Sequence, residues 1–117
     1  MFRLKRAYEG AAKDDGFRVL VERLWPRGVT RAKAKLDLWL KEVAPSPALR
    51  QWFSHDPAKW NEFRRRYRAE LEANPDTLRL LRDKSKAGVV TLVYGSRDEH
   101  HNAALALKEI LESSAKT

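Results

Sequence analysis

The sequence predicts an α/β protein: a small, mostly parallel sheet of about three to four strands flanked by helices, in a single domain spanning residues 1–117. Three observations carry this. Val89-Val90-Thr91-Leu92-Val93-Tyr94 is almost continuously apolar, the pattern of a strand buried on both faces of a parallel sheet. Phe17 to Leu24 is a second stretch of good β-propensity, far upstream. Between them lie several helical segments, and a long helical crossover is what parallel strands require.

Taken in order, Phe2-Arg3-Leu4 alternates as a short strand. Glu9 to Gly16 is a polar loop bounded by glycines. After the strand Phe17–Leu24 comes a Trp25-Pro26-Arg27-Gly28 turn. Pro26 fixes its own φ and keeps Trp25 extended, and Gly28 permits a tight turn. Thr30 is a helix N-cap, and Leu36, Trp39, Leu40 and Val43 recur at helical spacing. Leu36, Leu38 and Leu40 also alternate like a strand; helix is the reading taken here. Ser46-Pro47 and Asp56-Pro57 each read as N-cap followed by first helical residue. The first opens a short helix through Leu49, Trp52 and Phe53. The second opens one with Trp60, Phe63, Tyr67 and Leu71 on a single stripe. Asn74-Pro75 starts a further helix carrying Leu78, Leu80 and Leu81, which Gly88 stops. A last helix turns Ala104, Leu107, Ile110 and Leu111 inward, with Ser96 or Asp98 as its N-cap.

Composition narrows the function. Hydrophobic residues make up 43%, too many for a disordered chain. No apolar run approaches the roughly 20 residues that cross a bilayer. The start, Met1-Phe2-Arg3-Leu4-Lys5-Arg6, lacks the apolar stretch of a secretory signal. Cysteine is absent, which excludes disulfides, thiolate nucleophiles and cysteine zinc sites and fits a cytoplasmic setting. The 24 Lys and Arg against 16 Asp and Glu give a net charge of +8, favouring anionic partners.

The residues Arg18 to Gly28 with their Leu-Trp-Pro-Arg-Gly run, Trp39 with Lys41 and Glu42, and Ala44-Pro45-Ser46 with Leu49 and Arg50 form a recognisable series. Phe63, Tyr67, Glu70 and Leu71, then Thr91 to Tyr94, then Asp98, His101, Asn102 and Ala104 extend it. Along nearly its whole length the chain resembles the DUF488 family, in its YeaO-like branch of small uncharacterised proteins. The resemblance implies a cytoplasmic α/β protein and brings no established activity with it. Arg97 stands where the family often has Lys, and Gly95-Ser96 where small residues, often Ala, are usual. Some relatives carry a MarR-type transcription-regulator label. The single arginine-bearing helix here has no partner helix or wing to support it.

The expected chemistry lies at strand ends, because ligands of open parallel sheets bind outside the carboxyl ends. One such end delivers Arg23, Trp25, Arg27 and Gly28; the other delivers Tyr94, Ser96, Arg97 and Asp98, then Asn102. If the two strands are parallel neighbours, these nine residues meet as a binding site for a small anionic, nucleotide- or phosphate-like ligand. The arginines would supply bidentate contacts, and amides near Ser96 to Glu99 would hold a phosphate. Other roles stand beside this: Arg23 as an ion-pair partner of Asp98 or Glu42, Trp25 as a cover for the core, Asp98 as an N-cap. Asp98 and His101 are the candidates for any acid–base catalysis. His100 and His101 are adjacent and point apart, so no metal site is expected, and no motif demands a cofactor. Two alternatives belong to other classes. Arg64, Arg65, Arg66, Arg68 and Arg79 with Trp60 and Tyr67 offer a nucleic-acid-binding helix. The Leu-Trp-Pro-Arg-Gly loop would otherwise serve only the core of a non-catalytic interaction protein.

Overall fold

The structure is a computed structural model and describes residues 1–114. Among these, four strands form one sheet: β1 (Phe2–Arg6), β2 (Phe17–Leu20), β3 (Leu38–Trp39) and β4 (Val90–Tyr94). Their order is β1-β4-β2-β3, and every neighbouring pair is parallel. The last strand in sequence is thus inserted between the first two, with Leu4, Leu92 and Val19 side by side. All five residues of β4 are buried, as its unbroken apolar run requires of a strand covered on both faces.

Five α-helices accompany the sheet: α1 (Arg31–Ala34), α2 (Pro47–Phe53), α3 (Trp60–Glu72), α4 (Pro75–Ala87) and α5 (Ala103–Ser114). Proline and a short polar side chain set their starts. The Ser46 hydroxyl accepts from the Leu49 amide at 3.1 Å. Asp56 accepts from the Ala58 amide at 3.0 Å and opens a short 3-10 turn that runs into α3. Phe63, Tyr67 and Leu71 form the buried stripe of α3, and Trp60 is half-buried at its head.

Two sequence expectations give way. The helix expected after Thr30 lasts one turn: Thr30 does cap it, but Lys35 leaves it in the left-handed region at φ 45°. Leu38 and Trp39 then pair with Val19 and Leu20 as an edge strand. The two-residue alternation wins over the helical spacing because β2 has a free edge whose backbone groups need partners. The strand expected over Phe17–Leu24 ends at Leu20. Val21 still donates to the Val93 carbonyl at 3.2 Å, and the chain then leaves the sheet.

Side chains alternate across the strands and divide the interior in two. On one face Phe2, Val19, Val90, Leu92 and Tyr94 join the inward faces of α2 to α5 in the main core. Among the described residues no long helix covers the opposite face. There Leu20 and Val93 are covered by Ala7, Trp25, Val29 and Leu36 from loops and by Trp39 from β3. Towards the start of β2 the same face carries a buried ion cluster. Arg18 donates to Asp15 at 2.6 Å and to the Ala34 carbonyl at 3.0 Å, and Lys5 reaches Asp15 at 3.2 Å. The Asp15 carbonyl in turn accepts from the Thr91 hydroxyl at 2.6 Å, tying the cluster to β4.

Burial by itself would raise the pKa of Asp15; the Ala12 amide, Lys5 and Arg18 outweigh it and hold the carboxyl below its ordinary value. The unfolded chain therefore takes up this proton first. The stabilisation is complete above the unfolded pKa, about 3.9, and is lost as pH falls through the lower folded value. Asp15→Asn leaves Arg18 buried without its partner and is expected to cost about 3–5 kcal/mol near neutral pH. Its stability should also fall less than wild type on acidification, which urea unfolding near neutrality and at about pH 3 measures directly.

Gly16 turns the chain from this cluster into β2 at φ 64°, ψ −131°, a conformation open only to glycine. A Cβ there would collide with the Val89 carbonyl oxygen, which accepts from the Phe17 amide. Gly16→Ala is expected to destabilise by about 2 kcal/mol or more, read as a lowered melting temperature.

Candidate functional site

Parallel strands place all their carboxyl ends on one edge, and there the chain opens a cleft of about 420 Å³. Its apolar floor comes from Val21, Phe53 and Phe63; the two phenylalanine rings stack with centroids 4.3 Å apart, joining α2 to α3. The rim is polar. Arg23 follows β2, Arg50 and Gln51 project from α2, and Ser54 and His55 follow it; Glu22, Ser96 and Asn102 line the cleft as well.

Arg23 is held against a wall formed by residues 43–46. Its Nη2 donates to the Pro45 carbonyl at 3.4 Å, and its buried Nε has no partner. Among the described residues it makes no ion pair, with neither Asp98 nor Glu42. The wall is fixed from α3: the Tyr67 hydroxyl donates to the Val43 carbonyl, and the Ser46 amide and hydroxyl donate to Glu70 at 2.9 and 2.6 Å. Glu22 bridges the ends of the two central strands. Its Oε1 accepts from the Gly95 amide at 3.0 Å, while its carbonyl accepts from Trp39 Nε1 at 2.7 Å. Gly95 has no side chain to obstruct this; a Cβ there would lie 3.2 Å from Glu22 Oε2.

Of the residues expected at the site, Arg23, Ser96 and Asn102 line the cleft. Trp25, Arg27 and Gly28 do not. Trp25 covers the opposite face of the sheet, packed edge-on to Trp39 at 5.4 Å and donating to the Val29 carbonyl at 2.6 Å. Arg27 is exposed, its carbonyl accepting from the Tyr8 hydroxyl at 3.0 Å, and Gly28 makes its turn at φ 81°. Buried Pro26 anchors this loop with its arginine outward. Tyr94 is buried in the main core, and that burial pushes its phenol pKa up, with Glu99 and Glu9 adding to it. Arg97 is exposed on the loop.

The loop after β4 also differs from expectation. The helix starts at Ala103, not near Ser96 or Asp98, and Asn102 is its N-cap, accepting from the Leu105 amide at 2.8 Å. The amides of Asp98, His100 and His101 are spent within the loop, on the Ser96 hydroxyl and the Asp98 carboxylate. That carboxylate also pairs with His101 Nδ1 at 3.0 Å, and the His101 ring stands edge-on to Trp60. The His100 amide, ahead of the His101 contacts, holds Asp98 below the usual carboxylate range, which suits a loop clasp better than a base. Asp98 and His101 do not line the cleft. Among the described residues no three His, Asp or Glu side chains gather to hold a metal.

Glu22, Arg50, Gln51, Ser54 and His55 line the cleft, and the sequence does not mark them as site residues. Arg50 and Gln51 reach the cleft only because α2 packs beside the strand ends. Ser54 and His55 are consecutive non-glycine residues in the left-handed region, at φ 47° and 57°, and nothing local in the sequence marks them.

A family model described as the inactive DUF488-N3 subclade matches residues 1–117. The chain belongs to that DUF488 subclade. This DUF488 chain is 39% identical over 109 residues to the uncharacterised protein YeaO of Escherichia coli (strain K12), covering 93% of itself and 95% of YeaO. It is also 39% identical over 109 residues to the uncharacterised proteins Mb3100c of Mycobacterium bovis and Rv3073c of Mycobacterium tuberculosis, covering 93% of itself and 92% of each. No solved structure matches it.

Left-handed conformations cost a residue with a side chain roughly 1–2 kcal/mol, and glycine's greater freedom when unfolded offsets part of that. Ser54→Gly is therefore expected to raise stability by about 0.5–1 kcal/mol, seen as a higher melting temperature.

Proposed function

We propose that this DUF488 protein is a non-catalytic binding protein for a small anionic, nucleotide-like ligand held at the carboxyl ends of β2 and β4. The observation that carries the reading is Arg23: a half-buried guanidinium with a buried, unpartnered Nε, on the rim of a cleft it shares with Arg50 and His55. Arg23 lines the cleft with no ion-pair partner among the described residues, and its guanidinium can offer an anion charge-assisted hydrogen bonds. The volume is in the range of small-molecule sites. The description of the family as inactive accords with binding without turnover. A cytoplasmic setting suits such a ligand, and among the described residues no helix is long and apolar enough to cross a membrane.

The arginine-rich face of α3 supports a nucleic-acid role less well. Arg64 pairs with Glu109 at 2.7 Å, and Arg65 and Arg66 pair with Glu62 at 3.1 and 2.9 Å. Arg68 donates to Ser113, while Tyr67 and most of Trp60 face inward. These charges already have partners, as on a solvated helix face.

Thermal unfolding with inorganic phosphate, nucleoside monophosphates and short single-stranded oligonucleotides tests the reading. A ligand at about a hundred times its Kd adds about 2.7 kcal/mol of stability. Small anions are expected to stabilise the wild type. Folded Arg23→Gln and Arg50→Gln should each bind about tenfold more weakly, and Arg27→Ala should respond like wild type. Stabilisation by oligonucleotides alone, abolished by reversing Arg64, Arg65 and Arg66, would overturn it.

A further inference from the structure

The cleft holds unneutralised charge of both signs. Glu22 and Arg23 are neighbours in the chain, both half-buried and both lining the cleft, yet neither makes an ion pair among the described residues. Arg23 is drawn to the Pro45 carbonyl and Glu22 to the Gly95 amide, so they are held apart by the backbone around them. The Glu22 carboxylate is held by one hydrogen bond. One oxygen is pinned by Gly95, its own carbonyl is pinned by Trp39, and the missing side chain of Gly95 makes room for the second oxygen. That second oxygen has no hydrogen-bond donor among the described residues, and an ionised carboxylate can accept about four hydrogen bonds in all.

An acceptor so placed, in a cleft whose other charged side chains are cationic, asks for a ligand with donors at one end and an anion at the other. A guanine nucleotide has this pattern. Its ring N–H and exocyclic amine form two adjacent donors that match a carboxylate, and its phosphate matches an arginine pair. Adenine turns a ring acceptor to the same position, which a carboxylate repels. Behind these groups the cleft is backed by buried apolar side chains, Val21, Phe53 and Phe63.

Resting on the anion-binding reading above, we infer that Glu22 is a specificity residue: its carboxylate selects guanine among nucleotides, with Arg23 and Arg50 on the phosphate. The test is isothermal titration of the full chain with GMP, IMP, AMP and inorganic phosphate. IMP keeps the ring N–H and lacks the amine. The expected order is GMP tightest, IMP weaker, and AMP about ten- to a hundredfold weaker than GMP, the range of a charge-assisted hydrogen bond. Glu22→Gln keeps an oxygen for the Gly95 amide and replaces the other acceptor with a donor. The folded variant is expected to lose the preference for GMP while retaining its affinity for phosphate. The wild-type series tests the guanine preference even if that variant does not fold; Glu22→Asp, which keeps the charge and withdraws it by one methylene, then tests the side chain and is expected to weaken the preference for GMP. Equal binding of GMP and AMP overturns the inference and leaves the anion-binding reading intact. A GMP preference that persists in folded Glu22→Gln overturns the role of Glu22. Failure of every nucleotide and of phosphate to bind overturns both.

Discussion

The rest of this fold depends on one constraint, the insertion of β4 between β1 and β2 in parallel. A strand hydrogen-bonded on both sides and covered on both faces can carry a charge only where a buried partner meets it, as Asp15 meets Arg18 on β2, and Val90 to Tyr94 carry none. Parallel pairing also demands long returns between strands, which the chain makes by way of α2, α3 and α4. It sends every strand out at the same edge. The segments after β2 and β4 therefore meet whatever their sequences, and the Glu22 contact with Gly95 records that meeting.

The cleft at that edge is built by elements distant in sequence. Its floor needs the contact of α2 with α3, and its wall needs Tyr67 and Glu70 reaching back to residues 43–46. Ser46 serves twice there: its hydroxyl donates to Glu70 and accepts from the first turn of α2. A loss at Glu70 would thus reach the cleft without touching it, through the cap of α2.

Local chemistry was legible in the sequence, and tertiary choice was not. Ser46-Pro47 and Asp56-Pro57 announce helix starts because cap and proline act within one turn, and β4 announces itself by composition alone. Residues 36–40 fit two periods, and only pairing with Val19 and Leu20 selects between them. The same division holds at the candidate site. Arg23 was legible from its place at the end of a strand. Arg27, four residues on, reads the same way in sequence, yet buried Pro26 and the packing of Trp25 on Trp39 turn it out to solvent. Arg50, Ser54 and His55 belong to the cleft through packing of α2, which no spacing encodes. Glu22 reads as an ordinary strand residue until β4 lies beside it.

The two edges of the sheet are unlike, and each is blunt in its own way. β3 contributes only Leu38 and Trp39, too short a ladder for another strand to extend. β1 is a full five residues, but three of them, Arg3, Lys5 and Arg6, are basic. Charged side chains of this kind along an edge discourage another strand from adding to it. The chain thus keeps a strongly apolar central strand, Val90 to Tyr94, while protecting itself from the edge-to-edge aggregation that parallel sheets risk.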